Sequence, residues 1–360
     1  MKSTQQLHDL GQSIWLDNIT REILDNGTLR RYVDELSVTG LTSNPTIFDE
    51  AIGNTKSYDF GIRKKAQAGL SGEALFTELA LEDLRRAADL FRPAFERTQG
   101  IDGWVSMEVS PLLANDSKAT LEAALRMHKL ADRPNLYIKI PGTRAGVPAI
   151  QAAIYAGVPV NVTLLFSREQ YLAVADAFQR GIERRVAAGL DPRVNSVASL
   201  FVSRWDRAVN DEAPPELRNR LGLAIAQRTY RAHCELLATT RWRDLEAAGA
   251  RKQRMLWAST GVKDPKAPPG LYVEALAAPD TIDTMPEKTL LAFAAGGSVK
   301  SVMAPDGGDA ERVLAGFTRA GIDVEALGAR LQVEGAQSFV KSWSELMQRI
   351  KEKGAVLATS

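Results

Sequence analysis

The sequence predicts an α/β protein, a closed (β/α)8 TIM barrel with additional helices. Short β-like runs alternate with longer helical ones about eight times, the pattern of a parallel sheet with crossover helices. Eight such units close most naturally into a barrel of about 250 residues, and a 360-residue chain leaves a surplus for insertions. An open doubly wound sheet is the other arrangement of such units. It gains little support, because no glycine-rich turn follows the first run.

Strands are expected at 13–18 (SIWLDN), 38–44 (VTGLTSN), 104–110 (WVSMEVS), 136–141 (LYIKIP), 159–166 (PVNVTLLF), 195–201 (NSVASLF) and 254–260 (RMLWAST), with a weaker one at 281–286 (TIDTMP). Between them, 117–131 reads as a helix capped by Ser117, with Leu121, Ala124, Leu125 and His128 on one face. A second helix, 167–189, starts at Ser167 and stops at Gly189. The whole chain reads as one domain, 1–360, with helical insertions near 50–100 and 205–250 and a C-terminal extension over 310–354. In that extension Phe339, Trp343, Leu346 and Ile350 form an apolar stripe, which packs on the barrel or on a second copy of the chain. The segment 296–309 (GGSVKSVMAPDGGD) reads as a loop, not a phosphate loop.

With 45 Lys and Arg against 44 Asp and Glu, the net charge of +1 gives no reason to expect nucleic acid or a membrane surface as partner. Cys234 is the single cysteine, so an internal disulfide and a cysteine-based zinc site are excluded. It shares helical spacing with Ala226, Tyr230, His233 and Leu237 and reads as a buried small hydrophobe. The N-terminus lacks an apolar signal core, and a cytoplasmic location is expected.

Parity along the strands points to a site. In 136–140, Leu136, Ile138 and Ile140 share one face, and Tyr137 and Lys139 the other. The aliphatic face suits the surrounding helices, so Lys139 points into the barrel just before Pro141 and Gly142 end the strand. By the same rule Asp17 opposes Ile14 and Leu16, and Glu108 opposes Val105, Met107 and Val109. Asn161 and Thr163 oppose Val160, Val162 and Leu164. Asn44 closes the second strand, Ser199 lies near the end of the sixth, and Arg204 follows it. Active sites of this fold gather at the C-terminal mouth, where these residues converge. Singly, Asn44 is a turn or cap residue, Ser199 a core hydroxyl and Arg204 a solvated loop residue. Asp17, Glu108 and Lys139 carry more weight, because a parallel barrel strand has no solvent face. The plain alternative is a structural ion cluster.

A lysine beside carboxylates in a closed pocket can act as an amine nucleophile on a carbonyl, provided desolvation favours the free base. An ionised carboxylate in direct contact opposes that, so Glu108 suits action through a water. Metal-assisted aldol chemistry needs imidazoles or carboxylates clustered around zinc. The three histidines, His8, His128 and His233, lie near the terminus or in helical segments and read as structural or exposed.

In order along the chain, GLTSNPTIF, SMEVSP, NLYIKIPGT, VNVTLLFS and LFVSRWD resemble transaldolase, specifically its longer bacterial branch, over about residues 10–345. The resemblance implies a class I aldolase barrel without cofactor or metal. The implied reaction transfers a dihydroxyacetone unit reversibly between phosphorylated sugars of the pentose phosphate pathway. It assigns Lys139 to the Schiff base, Asp17 to the C4 hydroxyl proton, Glu108 to proton relay through a water, and Thr163 to holding that water. Asn44 and Asn161 match asparagines that bind the dihydroxyacetone hydroxyls; Ser199 and Arg204 match residues near the substrate phosphate. Where the family has an A-S-F-R segment after the seventh strand, this chain reads ASTGVKDP. Ser259 therefore aligns but the arginine does not, and Lys263 is either its replacement or a solvated loop lysine.

Three rivals remain. Simple aldolases that release dihydroxyacetone are similar in motif but much shorter, and tend to have Tyr at Phe201 and Gln at Glu108. A silent sugar-phosphate-binding barrel has no need of Asp17, Glu108 and Lys139 together. A pyridoxal phosphate enzyme needs a phosphate cup and a pyridinium partner, and neither can be placed.

Overall fold

The computed structural model describes residues 2–358. Eight parallel strands form a closed barrel in sequence order: β1 (Ser13–Leu16), β2 (Val38–Leu41), β3 (Val105–Glu108), β4 (Leu136–Pro141), β5 (Val160–Leu165), β6 (Ser196–Phe201), β7 (Arg254–Ala258) and β8 (Ile282–Met285). β8 closes onto β1 with Ser13 opposite Ile282 and Leu16 opposite Met285. The closed sheet rules out the doubly wound arrangement. Each strand falls inside its expected run, and helices Pro45–Asn54, Asp59–Gln67 and Gly72–Arg97 lie between β2 and β3.

Outward positions such as Leu136, Ile138 and Ile140 are fully buried beneath the helices. Inward positions form layers. At the N-terminal end Trp104 stacks on Tyr137 with ring centroids 4.0 Å apart, and Trp15 lies 6.1 Å from the same ring. Gly40 on β2 makes room: a Cβ there would stand 2.7 Å from the Trp15 indole nitrogen. Arg254 donates to Ser13 Oγ and to the Thr281 carbonyl, both at 2.8 Å. These large groups fill the bottom of the barrel and leave the open space at the C-terminal mouth.

The helix Val324–Ala358 runs across that mouth. Its 35 residues span about 50 Å at a rise of ~1.5 Å each, longer than the expected stripe required. Phe339, Trp343, Leu346 and Ile350 are all buried against the chain itself, which decides between the two places expected for the stripe. Trp343 meets Phe76 edge-on at 5.2 Å, Ser342 and Thr46 share a hydrogen bond of 2.8 Å, and Arg349 pairs with Asp49 at 2.7 Å.

Four local expectations are corrected. Asp116, not Ser117, caps the Ser117–Ala131 helix, accepting from the Ala119 amide, while the Ser117 hydroxyl turns to the Ala145 carbonyl. The buried face of that helix is Thr120, Ala123, Ala124, Met127 and Ala131; Leu125 is exposed, because the crossover helix is rotated by about one residue from the assumed stripe. Cys234 is half-buried. The alternation in β5 breaks at Leu164, whose φ of 60° accompanies a register shift between Val162 and Leu165. Ser167 does cap its helix, in a reciprocal capping box with Gln170. Among the described residues no helix is long and apolar enough to cross a membrane.

Candidate active site

Strand register places the central groups side by side. Glu108 on β3 is opposite Lys139 on β4, and Lys139 is opposite Asn161 on β5. In a parallel sheet, register partners face the same way, so the three side chains enter the barrel as one layer. Lys139 is only 5% exposed. Its Nζ donates to the Ser43 carbonyl at 3.1 Å and lies 3.7 Å from Glu108 Oε2, within ion-pair range but beyond a direct hydrogen bond. Both Glu108 oxygens and the Thr163 hydroxyl are buried without a hydrogen-bond partner among the described residues. Burial pushes the Glu108 carboxyl from 4.5 up to about 7; the Lys139 charge opposes the shift and Asp17 adds to it.

Asp17 stands at the end of β1, held by its amide on the Met285 carbonyl at 2.7 Å. Thr42 Oγ1 donates to its carboxylate at 2.8 Å. Thr42 has one hydroxyl proton, so the 2.7 Å contact with Thr284 Oγ1 has Thr284 as donor. Burial raises the Asp17 pKa, against the pull of Lys139. Asn44 caps the Pro45–Asn54 helix through Oδ1 on the Ile47 amide, and it also borders the cavity. Asn161 is fully buried; it donates to Ser106 Oγ at 3.1 Å and accepts from Ser199 Oγ at 2.7 Å.

A cavity of about 380 Å³ opens above this layer. Asp17, Asn44, Lys139, Thr163, Ser199, Arg204, Ser259 and Lys263 line it; Glu108 and Asn161 flank Lys139 without lining it. One end is cationic. Arg204 projects from the start of the Ser203–Val209 helix, and burial lowers its pKa. Ser259 holds a positive φ of 56° at the end of β7, with its hydroxyl 2.9 Å from that of Ser203. Lys263 is exposed at the rim, and its Nζ lies 3.8 Å from where a Cβ on Gly261 would stand. The ammonium thus reaches the space beside position 261 from two residues further on.

A larger, mostly apolar groove of about 650 Å³ lies between the Gly72–Arg97 helix and the C-terminal helix and holds none of these groups. Among the described residues no cluster of three or more His, Cys, Asp or Glu is arranged to hold a metal ion. His233 is buried with Nδ1 2.7 Å from the Tyr171 hydroxyl, and burial drives its pKa down to about 3.

Residues 14–350 match the family described as Transaldolase/Fructose-6-phosphate aldolase. The chain belongs to this family. It is 44% identical over 358 residues to the protein named Transaldolase of Thermobifida fusca, covering 97% of each chain. Against the Transaldolase of Thiobacillus denitrificans it is 41% identical, over 97% of this chain and 100% of that one. A third Transaldolase, from Saccharopolyspora erythraea, is 43% identical over 97% of each. Within this transaldolase-family barrel, several groups at the site were not expected from the sequence. Thr42 and Thr284 orient Asp17, the Ser43 carbonyl holds Lys139, and Phe339 closes one wall from the C-terminal helix. Thr42 lies in the quoted GLTSNPTIF run, so strand parity applied to it offered a signal. Phe339 offered only its place in an apolar stripe.

Proposed function

We propose that the mouth of this barrel transfers a dihydroxyacetone unit, reversibly, from sedoheptulose 7-phosphate to glyceraldehyde 3-phosphate in the pentose phosphate pathway. The products are erythrose 4-phosphate and fructose 6-phosphate. The observation that carries the reading is Lys139: a buried amine aimed into the cavity, with Glu108 beside it in the register and Asp17 lining the same cavity. Lys139 Nζ attacks the ketose carbonyl carbon C2, and loss of water gives an imine. Asp17 then takes the C4 hydroxyl proton, the C3–C4 bond breaks, and its electron pair passes into the imine to leave an enamine. The aldose phosphate departs. The enamine carbon attacks the carbonyl of the incoming aldehyde, whose oxygen takes the proton back from Asp17, and water releases the ketose from Lys139.

Glu108 fits the proton relay for forming and hydrolysing the imine. A carboxyl near 7 both accepts and donates at neutral pH. Its unpartnered oxygens and the Thr163 hydroxyl together suit a bound water, since buried polar atoms are rarely left unpaired. Asn44 and Asn161 are assigned to the dihydroxyacetone hydroxyls, and Ser199, Arg204, Ser259 and Lys263 to the phosphate end. Lys263 stands in for the missing arginine as a point charge rather than a bidentate fork. Release of free dihydroxyacetone is disfavoured by the carboxylate at 108 and by Phe201, which lines the cavity and brings no hydroxyl to it. A cytoplasmic location fits charged sugar phosphates, which do not cross bilayers unaided.

Borohydride trapping tests the reading. The protein is incubated with fructose 6-phosphate, reduced and digested. A dihydroxyacetone adduct is expected on the peptide containing Lys139, discharged by erythrose 4-phosphate if added before reduction. An adduct on another lysine, or none, overturns the mechanism.

A further inference from the structure

The Arg204 guanidinium sits at the cationic end of the cavity without an ion pair or hydrogen bond to the protein among the described residues. What holds it is aromatic and steric. Its central carbon lies 5.0 Å from the Phe201 ring centroid and 5.9 Å from that of Phe339. Phe201 ends β6, three residues before Arg204. Phe339 comes from the C-terminal helix, on the far side of the mouth.

That helix presents Leu331, Gly335, Phe339 and Trp343 as a buried stripe at four-residue spacing. At Gly335 the stripe lacks a side chain. A Cβ there would stand 3.3 Å from Arg204 Nη1 and 3.1 Å from Leu164 Cδ2. The helix therefore has a notch that the guanidinium enters, and one turn later a ring that lies over it. The height of the notch is fixed from below. Gln332 Nε2 donates to the Gly142 carbonyl at 3.0 Å and to the Leu164 carbonyl at 2.9 Å, at the ends of β4 and β5. The left-handed turn of Leu164 is what brings its carbonyl and its side chain to this helix.

We infer that Gly335 and Phe339 of the C-terminal helix position Arg204 for the substrate phosphate and thereby set the preference for phosphorylated over unphosphorylated sugars. The inference rests on the reading of Arg204 as a phosphate contact. A guanidinium gripped by ring faces keeps its N–H donors free and aimed in one direction, so little of its freedom is lost when a phosphate dianion arrives. A guanidinium bonded to a carboxylate would have spent both its donors and its charge.

The test compares kcat and KM for fructose 6-phosphate and for unphosphorylated fructose as donors, with one acceptor. Variants are Arg204→Ala, Gly335→Ala, Phe339→Leu, Phe339→Trp and, on the next turn of the stripe, Trp343→Leu. Arg204→Ala should collapse the ratio of kcat/KM between the two donors. Gly335→Ala and Phe339→Leu should each lower that ratio ~10-fold, about the worth of a half-buried cation–ring contact, through KM of the phosphorylated donor. Phe339→Trp should restore it, and Trp343→Leu should lower Tm with the ratio intact. If Arg204→Ala collapses the ratio but Gly335→Ala and Phe339→Leu do not, the positioning role is overturned. If Arg204→Ala itself leaves the ratio intact, the phosphate reading of Arg204 falls and takes this inference with it. Alanine favours the helix over glycine, and should Gly335→Ala still fail to fold, Phe339→Leu against Phe339→Trp decides the matter.

Discussion

Glu108 and Lys139 are register partners on β3 and β4, yet Glu108 Oε2 stops 3.7 Å from Lys139 Nζ, and the amine donates its hydrogen bond to the Ser43 carbonyl instead. The gap matters chemically. A carboxyl in direct contact with the amine would leave no place for a water between them, whereas one held a step away can pass protons to and from the reacting groups through one.

This arrangement sets a pH dependence. With the Glu108 carboxyl pushed up to about 7, the group is protonated below that value and cannot accept a proton. We expect kcat/KM to fall with a slope of one as pH drops below about 7. Glu108→Gln should lose that limb and reduce kcat by ~10²-fold or more, the usual worth of a positioned acid–base group. The folded value lies above the ordinary one, so the stability this group contributes is present below pH 4.5 and lost as pH rises through 7. Thermal melts of Glu108→Gln across that window should show a flatter profile. An unchanged pH–rate profile in the variant removes Glu108 from the relay.

Thr163 tests the same relay from its other side. Its hydroxyl is fully buried and has no hydrogen-bond partner among the described residues, so Thr163→Val removes no hydrogen bond among them. Such a replacement is close to neutral for stability. A loss of kcat by ~10-fold or more with Tm unchanged would show that the hydroxyl serves a reaction water. A normal kcat would leave it a core hydroxyl.

Lys263 reaches the space beside Gly261 from the rim of the site. Lys263→Ala should raise KM for phosphorylated donors by ~10-fold, the lower range for a charge-assisted contact on an exposed group. The effect should shrink with added salt, and kcat should hold. A KM that does not move assigns Lys263 to the solvated loop and leaves Ser199, Arg204 and Ser259 at the phosphate end.

The parts of this site legible in the sequence were those that obey strand parity. Lys139 and Glu108 stand out because an inward charged residue in a parallel barrel has no solvent to face, and register then brings them together with Asn161. Parity misread β5 only where the backbone leaves extended geometry, at Leu164. Helix faces were less legible. Leu125 was assigned to a buried face and is exposed, since small residues such as Ala123, Ala124 and Ala131 fit more closely against the neighbouring helix. Phe339 is legible as core spacing but not as part of the site, and Gly335 is not legible at all. Their partner, Arg204, is more than a hundred residues away, and a missing side chain in a stripe gives no positive signal.

The anchor behind Arg204 supplies the last prediction. Asp206, two residues on, is buried and accepts from the Leu221 amide at 2.8 Å, the Gly222 amide at 3.2 Å and the Tyr272 hydroxyl at 2.8 Å. It thereby ties the short Ser203–Val209 helix to the N-terminus of Leu221–Leu237, where the helix dipole favours a carboxylate. Gly222 permits the approach: a Cβ there would lie 2.9 Å from Asp206 Oδ2. Burial lifts the Asp206 pKa from 3.8 to about 6 despite three donors. The folded state thus holds this proton more tightly than the unfolded chain, and the contribution is present below pH 3.8 and lost as pH rises through 6, worth about 3 kcal/mol over that span. Asp206→Asn removes the titration but turns an amide donor toward one of the existing donors, costing about 1–3 kcal/mol at neutral pH. Urea unfolding at pH 4.5 and 7.5 separates the two effects: the variant should be destabilised at both, less so at 7.5, with KM for the phosphorylated donor raised as Arg204 loses its support. Equal destabilisation at both pH values would mean that Asp206 is ionised throughout.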